Sequence, residues 1–394
     1  MTPQASSLPE AELASVETDV VIVGGGIAGT CAAYHLAASG VRVMLLERDV
    51  VGGGATGTAV GVLLPPLFQP FHETVRFRGT RVARNVWRFA LRSVAGLADL
   101  LESRGAVAAT GLDRTGGYVL ADGESLTEVE RACRALESAG LPVDWLSRDR
   151  VHEIAGGGGF LGGYRIEGGG CVSPMPTVRA VADAAREAGA VILEATGVDD
   201  VHRREGRLAC DTNHGRILAE MVIYATHVDA RRFSAFVGDE IVPIRGQAMM
   251  VESGAPTFKG GFSTHWKLNV WRSDPEGRLI MGGWRSDAWD RSYWKATPRL
   301  DEELQDSLEG WFRSTLSGMG GYAIGRRWSG IYGWTADYLP LVGPLPGRPG
   351  ELILSGFSGG GLSLAFEAGR AVAAMVTDGE PVPGTRLFNP RRFT

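Results

Sequence analysis

The run Asp19-Val-Val-Ile-Val23, leading into Gly24-Gly25-Gly26-Ile27-Ala28-Gly29, limits what this chain can fold into more than any other feature. A continuous β-branched stretch is the pattern of a strand buried on both faces of a parallel sheet. Thr30 to Ser39 then carries Ala32, Ala33, Leu36 and Ala37 at helical spacing, and Gly40 supplies a stop. A second apolar strand, Val41 to Leu46, ends at Glu47. Together these make a βαβ unit of about 30 residues. Glycine spacing alone says little in a chain with 56 glycines among 394 residues. The context gives it meaning: a strand before, a helix after, and an acid closing the next strand. Gly24 permits the tight turn, Gly26 lets backbone approach a pyrophosphate, and Gly29 lets the helix sit close to the sheet. A diphosphate would then rest on the N–H groups at the positive helix end, around Ile27 and Ala28. Glu47, followed by Arg48, would accept ribose hydroxyls and repel a 2′-phosphate. These residues alone do not separate FAD from NAD.

The length suggests about two domains. A net charge of −5 leaves no basic footprint for nucleic acid. No apolar run reaches transmembrane length, and residues 1–18 lack the basic start and apolar stretch of a secretory signal. That segment is expected to be a flexible tail, and the chain a cytoplasmic enzyme. Cys31, Cys133, Cys171 and Cys210 have no metal-like spacing. They are expected to be reduced, buried thiols, and no metal site is expected.

Periodicity predicts a helical stretch over 72–105, a helix over 125–139 and another over 174–188. Residues 156–170 read as glycine-rich loop. Parallel-type strands fall at 191–193, 218–224 and 351–355. Between them, 247–251, 267–272 and 279–284 alternate like antiparallel strands. A turn at 356–361 opens a last helix over 362–377. The expected architecture is α/β: a Rossmann-like nucleotide domain with an inserted, mainly antiparallel α+β domain. The first would comprise 19–85, 150–240 and 325–394; the second, holding substrate, 86–149 and 241–324.

Four stretches resemble the D-amino acid oxidase, glycine oxidase and sarcosine oxidase family of flavoproteins. They are the unit from Asp19 to Asp49, the loop from Gly52 to Leu63, the segment from Gly170 to Val201, and the C-terminal runs Trp328 to Gly343 and Gly356 to Ser363. The resemblance implies FAD, held non-covalently because no cysteine stands near Gly330. Gly54, Ala55, Thr56, Val60, Gly61 and Val62 would lie along the ribityl chain and flavin. Val198 would border the adenine, and Thr226 the nucleotide. Phe357, Ser358, Gly359, Gly360, Gly361, Leu362 and Ser363 would present N–H groups and a positive helix end to the flavin, favouring its reduced form. The activity implied is oxidation of an amine or amino acid at its C–N bond, with molecular oxygen as acceptor. A dehydrogenase, or a flavin-holding subunit without turnover, stays open.

Three departures from that pattern bear on the substrate. Tyr332 stands where amino-acid oxidases carry a carboxylate-binding arginine, and Ser363 where sarcosine oxidases carry a lysine. Either another arginine (Arg245, Arg272 or Arg285) moves in to hold a carboxylate, or the substrate is not a simple free amino acid; Tyr332, Trp334 and Arg245 are the candidate active-site residues for an amine or amino-acid-like substrate. Arg272 and Arg285 are expected at the surface. His227 replaces a family glycine and is expected to be packed or solvated. Trp266, Trp271, Trp284, Trp289, Tyr293, Trp294, Tyr332 and Trp334 crowd one region, which suggests an aromatic cage for a bulky amine. The residues do not indicate an oligomeric state.

Overall fold

The computed structural model describes residues 16–65, 69–155, 159–253, 257–264, 269–283, 289–316, 321–379 and 385–394. Most of the expected N-terminal tail lies outside these residues. Its last part does not: Val16 to Thr18 belong to strand β1 (Val16–Val23) and pair with Ile217 to Ala219.

β1 is central in the first sheet. It pairs in parallel with Gly215–Tyr224 on one side and with β2 (Val43–Leu46) on the other. The order runs Leu341–Pro344, Glu351–Ser355, Gly215–Tyr224, β1, β2, Val191–Leu193. Only the outermost pair, Leu341–Pro344 with Glu351–Ser355, is antiparallel along this path. A hairpin of Val198–Arg204 and Arg207–Thr212 adds antiparallel strands beside Gly215–Tyr224. Both faces of β1 are covered, as its apolar run requires. Val20 and Ile22 pack with helix α1 (Ile27–Ala38), Thr80–Ser103, Pro174–Glu187 and Gly361–Thr377. Val21 and Val23 pack with the hairpin and with Val237 and Ile241.

The second sheet has eight strands, in the order Ala323–Trp334, Val242–Ser253, Leu279–Gly282, Asn269–Ser273, Gly261–Thr264, Gly117–Ala121, Gly162–Ile166, Val143–Leu146. All pairs are antiparallel except Gly261–Thr264 with Gly117–Ala121. Trp271 is core here rather than cage. Its ring stacks on Phe262 at 5.4 Å and Phe160 at 6.0 Å. The architecture is thus α/β, a Rossmann-like sheet beside a mainly antiparallel one. Among the described residues no helix is long and apolar enough to cross a membrane.

Several sequence expectations change. The helical stretch breaks at Gly79, whose φ of +79° cannot continue a helix, into Phe71–Arg78 and Thr80–Ser103. The glycine-rich 156–170 segment contains the strand Gly162–Ile166. Its glycines serve close strand approach: a Cβ on Gly163 would lie 2.5 Å from the Val119 carbonyl oxygen. That strand and Ala323–Trp334 join the second sheet, although the regions 150–240 and 325–394 were expected in the nucleotide domain. Conversely, Thr80–Ser103 packs on the first layer through Val86, Phe89, Val94 and Leu97. Periodicity reveals an element but not the sheet it joins.

The helix Gly361–Thr377 crosses α1 at Gly369, where a Cβ would lie 2.7 Å from the Ala32 nitrogen. Gly310, inside Glu302–Thr315, has nothing within 4 Å of its virtual Cβ. Two alanine variants should therefore diverge in urea unfolding. G369A should lose about 1–3 kcal/mol by overpacking. G310A should gain about 0.5–1 kcal/mol of helix propensity.

Candidate active site

The glycine turn after β1 is built by exclusion of side chains. Gly24 has φ +108°, and a Cβ there would sit 2.7 Å from the Ala225 carbonyl oxygen. On Gly29 it would sit 2.0 Å from the Gly24 carbonyl oxygen. Two bonds draw the segments together: Gly24 N–H donates to the Leu46 carbonyl at 2.8 Å, and Ala225 N–H to the Val23 carbonyl at 2.8 Å. At the start of α1, Ile27 N–H donates to Thr56 Oγ1 at 3.0 Å. Glu47, at the end of β2, accepts from Gly25 N–H at 2.7 Å and from Asp49 N–H at 3.0 Å. An ionised carboxylate has further lone pairs for a ribose.

A cavity of about 460 Å³ opens over this turn. Its nucleotide wall includes Gly24, Gly26, Ile27, Ala28, Glu47, Arg48, Gly54, Ala55, Thr56, Val198 and Thr226. Val60, Gly61, Val62, Phe357, Gly359, Gly361 and Leu362 continue it. The opposing wall comes from the second sheet: Gly246, Gln247, Ala248, Val270, Gly282, Trp328, Gly330, Ile331 and Tyr332. Most sequence candidates therefore meet around one space.

Six candidates lie behind it. Gly29 packs against Gly24. Ser358 and Ser363 are buried, and Gly360 donates its N–H to the Phe357 carbonyl. Trp334 is buried, its ring 6.1 Å from that of Tyr332. Arg245 is turned away: its Nη2 donates to the Arg291 carbonyl at 2.9 Å and pairs with Asp301 at 3.4 Å. Asp301 also caps the helix Glu302–Thr315, so its carboxylate holds the guanidinium outside the wall. Arg272, expected at the surface, is only 4% exposed. Arg285, Trp266 and Trp284 lie outside the described residues. His72 pairs with Glu128 at 3.1 Å, away from the cavity wall.

His227 lines the cavity. Its φ of +54° is a conformation that costs a non-glycine residue roughly 1–3 kcal/mol. Its Nε2 accepts from Gly333 N–H at 3.1 Å, while the Gly333 carbonyl accepts from Ser358 N–H at 2.9 Å. Burial pushes the His227 imidazole down to about 4, so Nε2 stays an acceptor near neutral pH. One glycine beside Tyr332 is thus pinned to both cofactor-side segments. Gln247, Ala248 and Gly282 also form the wall, though spacing and composition do not single them out, and Trp328 joins them from the C-terminal run. Glycines inside strands were the available signal: a Cβ on Gly330 would lie 2.2 Å from Thr58 Oγ1.

The residues fit FAD. Side-chain-free backbone faces the cavity at Gly24 and Gly26, an acid closes β2, and the Thr226 hydroxyl is shielded from solvent without a protein partner among the described residues. Buried polar groups of this kind take a partner.

The profile of the DAO family, described as FAD dependent oxidoreductase, matches residues 19–375. Glycine oxidase from Bacillus licheniformis is 29% identical over 377 residues, covering 92% of this chain and 94% of that protein. The crystal structure of glycine oxidase from Geobacillus kaustophilus superposes with a TM-score of 0.81 at 25% identity, over 95% of this chain and 98% of the other. L-proline dehydrogenase from P. horikoshii shares the fold, with a TM-score of 0.80 at 22% identity and 98% coverage of both chains. The chain belongs to the DAO family and is an FAD-dependent oxidoreductase.

Proposed function

We propose that the protein oxidises the C–N single bond of a small amine or amino-acid-like molecule to an imine, with oxygen as acceptor and hydrogen peroxide as product. One observation carries this reading. A single cavity joins the glycine turn of the first sheet to a wall of small and apolar residues on the second, beside Tyr332. The relatives named glycine oxidase point the same way.

In this reading the α1 turn holds the diphosphate, Glu47 the ribose, and Val198 borders the adenine. Gly54 to Thr56, Val60 to Val62 and the 357–363 turn border the flavin. No cysteine lines the cavity among the described residues, which supports non-covalent binding. Bound FAD supplies the two-electron acceptor for a hydride leaving the carbon next to nitrogen. The substrate C–H bond breaks, the nitrogen lone pair closes the C=N bond as an iminium, and the iminium sheds its N–H proton to solvent to give the imine; hydride and proton together balance the peroxide formed from oxygen. The chain positions the amine with Tyr332 and keeps water out with Ile331, Val270 and Ala248. Trp334 supports Tyr332 from behind. Among the described residues the carboxylates on the wall, Glu47, Asp49, Asp199 and Asp229, all belong to the nucleotide side. In this reading the amine reacts in its neutral form, without a carboxylate base. Four buried, unpaired cysteines fit a cytoplasmic enzyme.

An oxygen electrode with a panel of primary amines, secondary amines and amino acids tests this reading. It stands if one compound drives oxygen uptake with equimolar peroxide. It fails if compounds that reduce the flavin leave oxygen untouched and only an artificial acceptor restores turnover.

Three outcomes follow for the preferred substrate. The kcat/KM profile should rise with pH to a plateau at the substrate amine's own pKa. It should show no histidine limb between about pH 5 and 8, because His227 stays neutral there. Y332F should keep its flavin spectrum but lose about tenfold in kcat/KM, the value of one hydrogen bond near 1.4 kcal/mol. E47Q should weaken FAD binding about 10- to 100-fold, since a charged acceptor contributes about 1.5–3 kcal/mol, measured by fluorescence titration of the apoprotein.

A further inference from the structure

Arg272 is a buried cation that pairs with no carboxylate among the described residues. It sits on Asn269–Ser273, two residues from Val270, which lines the cavity. Strand alternation puts the two side chains on one face, while Trp271 between them enters the opposite core. Arg272 Nε donates to the Val60 carbonyl at 2.6 Å, and Nη1 to the Ser273 carbonyl at 3.1 Å. Gly61 lies directly on the guanidinium: its φ is +99°, and a Cβ there would be 2.7 Å from Arg272 Nε. Val60 and Gly61 both line the cavity. The charge therefore lies one peptide behind the wall.

The nearby carboxylates are engaged elsewhere. Asp274 accepts from Arg278 Nε at 2.6 Å, and Glu276 from Arg278 Nη2 at 2.9 Å. Neither pairs with Arg272. Burial pushes the Cys171 thiol up to about 12, so it is neutral. A guanidinium stays protonated even where burial opposes its charge. Burying an unpaired cation costs several kcal/mol. Two backbone carbonyls offset only part of that, and a negative charge forming in the cavity would offset more.

We propose that Arg272 tunes the cofactor electrostatically, its charge behind the Val60–Gly61 wall favouring the negatively charged reduced flavin over the neutral oxidised one. Arg272 touches neither flavin nor substrate in this role. It acts through the wall, as a positioning residue for charge. The inference rests on bound FAD and not on the identity of the amine.

Sulfite tests it without any substrate, because it adds reversibly to oxidised flavin and leaves a negatively charged, bleached adduct. Absorbance titration of the wild-type holoenzyme, R272K and R272Q gives three dissociation constants. Dye-coupled reduction gives the midpoint potentials. Glutamine keeps a donor for the Val60 carbonyl and removes the charge; lysine keeps the charge. R272Q should bind sulfite at least about tenfold more weakly, with a two-electron potential lower by about 30 mV. R272K should stay within about threefold of wild type. R272Q with wild-type sulfite affinity and potential would show that the arginine only braces a loop, and would overturn the proposal. If R272Q does not accumulate as holoprotein, R272M is titrated in its place: sulfite binding at least about tenfold weaker than wild type supports the proposal, and wild-type binding overturns it.

Discussion

Gly29 has no room for a side chain, because the carbonyl oxygen of Gly24 occupies the place a Cβ would take, 2.0 Å away. Gly24 has none either, since Ala225 fills the space beside it. These two contacts bring the end of β1, the start of α1 and the exit of Gly215–Tyr224 to one point. The cavity exists because they converge. A methyl group at either glycine would push α1 off the sheet, carrying with it the N–H groups that face the cavity. The same economy recurs at Gly369, where the C-terminal helix lies almost against the α1 backbone. That crossing fixes the helix whose first turn forms another part of the wall.

A second joint ties this nucleotide layer to the antiparallel sheet. Gly333 donates to His227 and accepts from Ser358. Both partners have positive φ without being glycine. Such strain persists only where surrounding contacts hold it. Here it sets the strand carrying Tyr332 against the segments facing the cofactor. Trp328 adds a third tie, its indole N–H donating to the Thr58 carbonyl at 3.0 Å. Directed hydrogen bonds at the cavity rim thus join the two sheets, and the helix Thr80–Ser103 packs apolar side chains against both layers.

The nucleotide half was legible in the sequence because its rules are local. A β-branched run, a spaced glycine set and a closing acid all fall within Asp19 to Glu47. The second sheet was less legible. Its longest pairing, Val242–Ser253 with Ala323–Trp334, joins segments far apart in sequence. Half-exposed strands such as Ala323–Trp334 carry a weak alternating pattern. Side-chain direction was harder still. Arg245 and Arg272 look alike as arginines among apolar neighbours. One is drawn out to Asp301 and the other is buried under Gly61. A partner more than 50 residues away in sequence decides each outcome.

The proposed reaction requires bound flavin to take a hydride from carbon next to an amine nitrogen. Anaerobic stopped-flow mixing of the holoenzyme with the amine and amino-acid panel tests this most directly, since it needs no acceptor. At least one compound should bleach the flavin fully, more slowly when the transferred hydrogen is replaced by deuterium. A holoenzyme whose flavin no amine or amino acid reduces, but which a reduced nicotinamide bleaches at once, would contradict it.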